Sequence, residues 1–170
     1  MLHGRETEQA RLAAVIDAAA TGHSASLVVS GEAGVGKTAL VSRFCEERGR
    51  PPRILWSACD ALFTPRPLGP LVDIAGQFPP PVAQALQQGL TTTGLFPALL
   101  RHFRESVRAS VLVVEDVHWA DAGTLDLLRY LGRRLQDVPL LLLLTHRQEG
   151  VDAGHPLSAV LGDLPSASTR

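Results

Sequence analysis

Apolar residues gather in short unbroken runs, separated by stretches in which they recur at helical spacing. Leu27-Val28-Val29, Ile54-Leu55-Trp56, Val111 to Val114 and Leu140 to Leu144 have no polar alternation, which predicts strands covered on both faces. Leu12, Val15, Ile16 and Ala19 form one stripe from Glu6 to Ala20, a predicted helix closed at Thr21-Gly22. Thr38 to Arg48 predicts another, stopped by Gly49 and Pro51-Pro52. Further helices are predicted at Leu71 to Gln77, Val82 to Gln88, Leu95 to Arg108, Ala122 to Leu135 and Pro156 to Leu164, with Asp121 as an N-cap. Ser166 to Arg170 is polar and reads as a frayed end. Strands alternating with helices imply an α/β fold, a parallel sheet between helical layers. Ligands of such sheets bind beyond the carboxyl ends of the strands.

Length and charge narrow the classes. A chain of 170 residues with 45% hydrophobic and 19% charged positions suits one globular domain. The net charge of −1 provides no basic field for nucleic acid or anionic lipid. Cys45 and Cys59 have no CxxC spacing, which fits a reducing cytoplasm. Arg5, Glu6 and Glu8 break the start before a signal-peptide core can form, and Leu140 to Leu144 is too short to span a bilayer. No membrane association is expected. Against 15 arginines there is a single lysine, Lys37. The arginine bias reads as a GC-rich genome; a lysine kept here suggests a need for a compact ammonium.

That lysine lies in Gly31-Glu32-Ala33-Gly34-Val35-Gly36-Lys37-Thr38, a G-x-x-x-x-G-K-[ST] sequence between a predicted strand and a predicted helix. Glycines let the loop aim backbone N–H groups at phosphates, and the helix start adds its partial positive charge. Gly31, Gly34, Val35, Gly36, Lys37, Thr38 and Ala39 are therefore candidate ATP contacts, with Lys37 on the β- and γ-phosphates and Thr38 on Mg2+. Val111 to Val114 runs into Glu115-Asp116, the Walker B pattern, in which one acid serves the metal and the other orients or deprotonates water. Position favours Glu115 for the metal and Asp116 for the water, although the commoner order puts aspartate first and the roles could be exchanged. Thr145-His146-Arg147 follows the fourth strand, which in a P-loop sheet lies between the two motif strands, so Arg147 is a candidate γ-phosphate sensor or simply a surface arginine. His118 and Trp119 read as packing, and His118 lacks partners for zinc.

Leu2-His3-Gly4-Arg5-Glu6, the Gly31 to Thr38 loop and Val114-Glu115-Asp116-Val117-His118-Trp119-Ala120-Asp121 together resemble the AAA-type, Orc1-like ATPase domain of large LuxR-family transcriptional regulators, within the STAND ATPases. Cys59-Asp60-Ala61, Thr64 to Leu71 and Thr124 to Leu131 also resemble that group, so the likeness covers about Gly4 to Leu164. It implies a P-loop NTPase three-layer sandwich with sheet order 1-4-3-2. It also implies slow ATP hydrolysis that switches a regulator, Gly4 and Arg5 near the adenine, and Arg147 as the sensor. Family members are far longer, adding a helical lid, a winged-helix region, a helical-repeat sensor and a DNA-binding helix-turn-helix. Residues 1–170 are thus expected to be the core of such a module, without its fifth strand, leaving one sheet edge bare. Partners implied are ATP and either self-association or docking with the further regulator domains, with no direct DNA contact from this segment. The alternatives are a small-molecule P-loop kinase and an ATP-binding module without turnover.

Overall fold

The computed structural model describes Ala14 and residues 25–46, 52–89, 92–136, 138–164 and 166–169. Apart from Ala14, the predicted first helix lies outside the described residues, as do Gly4 and Arg5. In chain order the elements are β1 (Ala25–Gly31), α1 (Lys37–Glu46), β2 (Arg53–Ala58), α2 (Gly69–Asp73), α3 (Pro80–Gln87) and α4 (Thr92–Arg104). β3 (Ser110–Glu115), α5 (Ala122–Gly132), β4 (Leu140–Arg147), α6 (Pro156–Asp163) and β5 (Ser166–Thr169) follow. Short 3-10 turns at Ala75–Gln77 and Val117–Trp119 follow α2 and β3.

The strands form one parallel sheet in the order β2-β3-β4-β1-β5. Its first four strands have the predicted 1-4-3-2 arrangement. The fifth strand corrects the expectation of a bare edge and a frayed end: Ser26 to Val29 of β1 pair with Ser166 to Thr169. Pairing at a sheet edge is made by backbone N–H and C=O groups, so a polar segment carries no hydropathy signal for it.

Every residue of Leu140–Leu144 is fully buried, because side chains alternate between two covered faces. Leu141 and Leu143 join Leu27, Val29, Val111 and Val113 beneath Leu40, Val41 and Cys45 of α1. Leu140, Leu142 and Leu144 join Leu112, Val114 and Leu55 beneath α2 to α6. Thus a five-residue apolar run fills two cores at once, which is why it shows no alternation.

The helix predicted at Leu71 to Gln77 is instead α2 followed by the separate 3-10 turn at Ala75–Gln77, and the boundaries of α4 and α5 shift by three residues or more. α4 starts three residues earlier than predicted and ends at Arg104 rather than Arg108. Pro97 is accommodated in its second turn, and the chain then turns, with the Ser106 hydroxyl donating to the Arg108 carbonyl at 2.9 Å. α5 ends at Gly132 rather than Leu135. A Cβ on Gly132 would lie 2.3 Å from Leu164 Cδ2, so a glycine is what allows the end of α5 to approach the end of α6 so closely.

Candidate functional site

The site lies beyond the carboxyl ends of β1, β3 and β4. Their register brings Gly31 opposite Arg147, and β3 ends beside β4 at the same edge. After β1 the chain turns through residues 32–36 into α1. Gly34 and Gly36 have φ of 74° and 90°, the left-handed region that costs a side chain roughly 1–2 kcal/mol. The turn ends directly on the amino terminus of α1, where the first N–H groups have no partner within the helix.

Lys37 opens that helix and is only 8% exposed. Its Nζ donates to the carbonyls of Gly31 at 3.0 Å and Glu32 at 2.9 Å, which leaves one of three ammonium donors uncommitted by these bonds. Thr38 Oγ1 donates to Glu115 Oε1 at 2.6 Å, joining the start of α1 to the end of β3. The other oxygen, Oε2, accepts from Trp56 Nε1 at 3.0 Å. Glu115 is thereby buried with both oxygens engaged.

Asp116 follows in a left-handed backbone conformation, φ 52° and ψ 41°. Its N–H donates to Thr145 Oγ1 at 3.0 Å, tying the end of β3 to β4. This unusual turn separates the two acids: Glu115 points to Trp56 and Thr38, whereas Asp116 lines the open cleft. His118 Nδ1 lies 3.8 Å from Asp116 Oδ1 and accepts a long 3.4 Å bond from the Arg147 N–H. Burial lowers its pKa below the ordinary histidine value, with Asp116 pulling the opposite way. His146 is lowered by burial too, while its Nδ1 bonds the Arg147 carbonyl at 2.6 Å. Cys59 is pushed up to about 12, by burial first and then by Asp121, Asp116 and Asp60, so it is no nucleophile at neutral pH.

The cleft has a volume of about 480 Å³ and is lined by Ala33, Gly34, Gly36, Lys37, Thr38, Ala39, Asp116, Thr145 and Arg147. All of these except Ala33 and Thr145 are candidates from the sequence. Gly31 and Val35 do not line the wall; Gly31 instead supplies a carbonyl to Lys37. Glu115 reaches the cleft through Thr38. Trp56 was missed as a site residue. The expected strand order put β2 beside β3, and an indole N–H near the end of β2 was the available signal.

The donor set suits magnesium. A hydroxyl and a carboxylate oxygen are in contact at the cleft, and hard oxygens with few protein ligands are what this ion takes when phosphates supply the rest. Among the described residues no group of three or more His, Cys, Asp or Glu side chains could hold a metal by itself.

A glycine-rich turn between β1 and α1, with an acid-tipped β3 two strands away, defines a P-loop NTPase core. Residues 2–144 match the AAA ATPase domain model, and the chain belongs to that family. It is 39% identical over 79 residues to an uncharacterized protein of Rhizobium meliloti (strain 1021), covering 43% of this chain and 8% of that protein. Among solved structures it is similar to Aeropyrum pernix Orc1 in complex with DNA, with TM-score 0.69, 21% identity, and coverage of 99% of this chain and 45% of that one. Drosophila ORC bound to AT-rich DNA and Cdc6 gives TM-score 0.59 and 14% identity over 96% of this chain and 53% of that one. A Thermotoga maritima RuvB mutant gives TM-score 0.51 and 18% identity over 92% and 43%. The chain thus spans less than two thirds of the length of each. Identities this low show the shared fold alone.

Proposed function

We propose that this domain binds ATP with magnesium and hydrolyses it slowly, as the nucleotide switch of a longer transcriptional or signalling regulator resembling the LuxR family. The observation that carries the reading is the convergence of Lys37, Thr38, Asp116 and Arg147 on one open cleft, with Glu115 behind Thr38. Loop N–H groups and the start of α1 hold the phosphates, and Lys37 exchanges its carbonyl partners for β- and γ-phosphate oxygens. Thr38 and Glu115 hold magnesium, which when bound offsets phosphate charge. Asp116, turned into the cleft, orients the attacking water and takes its proton. Arg147 follows the γ-phosphate from the end of β4.

A small-molecule kinase would need mobile arginines above the transferred phosphate. Arg133 bonds Asp163 at 3.1 Å and Arg134 lies 4.0 Å from the Tyr130 ring centre, so both are engaged around the end of α5. No direct DNA contact is proposed for this segment, given the net charge of −1.

Phosphate release from ATP and magnesium tests the reading. Asp116→Asn is expected to slow release by about 100-fold or more, while ATP affinity stays within about twofold. Wild-type protein that binds ATP without releasing phosphate would leave a module without turnover and contradict the hydrolytic part. Transfer to an added metabolite would favour the kinase.

A further inference from the structure

Glu115 is held from two sides, and one of them is not part of the loop, the acids or the β4 end. Trp56 pairs with Val113 across β2 and β3, so Glu115, two residues further along β3, shares the face of that pair. The indole is packed with Ile54 against the core formed by β1, β3, β4 and α1. Anchored there, its N–H meets Glu115 Oε2 at 3.0 Å while Thr38 meets Oε1 at 2.6 Å. Glu115 is 9% exposed, so water offers few substitute donors. A phenylalanine would fill much of the same apolar space but could not donate. The polar end of this side chain therefore fixes which way the carboxylate faces.

We infer that Trp56 is a positioning residue for Glu115, and that its indole N–H keeps Oε1 turned toward Thr38 and so sets how strongly magnesium promotes ATP binding. The inference rests on the ATP and magnesium reading above. It follows from the general behaviour of metal-binding carboxylates, whose outer hydrogen-bond partners typically govern affinity by 10- to 100-fold.

The experiment is a magnesium titration of ATP binding, followed by calorimetry, with ATP in EDTA as the metal-free reference. Trp56→Phe is expected to raise the half-saturating magnesium concentration about tenfold, with metal-free ATP affinity within about twofold of wild type. In a Glu115→Ala background the same substitution is expected to add nothing, since it acts through that carboxylate. A Trp56→Phe midpoint equal to wild type, while Glu115→Ala shifts it, would overturn this inference and leave the proposed function standing. Equal weakening with and without magnesium would also overturn it, as a packing effect. Wild-type protein with no magnesium-linked binding would remove both.

Should Trp56→Phe fail to fold, Trp119→Phe leaves Trp56 as the remaining one of two tryptophans. Its emission is expected to change with ATP and magnesium but not with ATP in EDTA. No magnesium-specific change would count against the inference.

Discussion

At the residue scale, the site depends on side chains whose freedom has been removed. Gly36, at φ 90°, holds the loop in a shape that an alanine there would strain. Gly36→Ala is expected to lower stability by roughly 1–2 kcal/mol in urea denaturation, and to weaken ATP binding by more than the stability loss alone implies. The loop was legible because glycine spacing and a lysine each have a specific physical use. The different surroundings of Glu115 and Asp116 were only half legible. Adjacent acids on a strand point to opposite faces, but the left-handed backbone at Asp116 is a property of the packed β3–β4 end. Trp56 read as a strand residue because its apolar ring suits a strand; its N–H matters only once β2 and β3 are in register.

At the element scale, α5 shows how one side chain joins two segments. Asp121 accepts from the Thr124 N–H at 3.1 Å as the N-cap and is also bonded by the Thr124 hydroxyl. The same Oδ1 accepts from the Leu68 N–H at 3.2 Å, tying the left-handed turn before α2 to the start of α5. Asp121→Ala is therefore expected to cost about 1–2 kcal/mol, the upper part of the range for lost caps, measured by urea denaturation. The cap itself was visible as an aspartate before an apolar-periodic stretch. Its second partner, 53 positions away, had no local signature. The same asymmetry explains β5: strands with apolar payloads such as Leu140–Leu144 announce themselves, whereas a strand held through backbone pairing does not.

At the scale of the whole molecule, the alternation of strands and helices pointed to a parallel sheet and the family resemblance to its order, which the first four strands follow. One property belongs to no single element. His102, His118 and His146 each have a pKa lowered from the ordinary 6.5, with burial the largest cause in each case. Their neutral forms are favoured in the folded state, so the unfolded chain takes up protons first. The contribution of these histidines to stability is expected to be level above about pH 6.5 and to fall as pH drops through the lowered folded values, read as a thermal midpoint that declines with acidification. Those histidines lie on α4, after β3 and at the end of β4, so the loss reaches the site and the core together.

The claim beneath the rest is that a backbone bend and one ammonium enclose a polyphosphate. Calorimetric titration of wild type and Lys37→Ala with ATP and magnesium tests it most directly. Saturable binding by wild type and a loss of at least about 100-fold in Lys37→Ala, more than about 2.7 kcal/mol, is the expected result. Affinity in the variant within about twofold of wild type would contradict it.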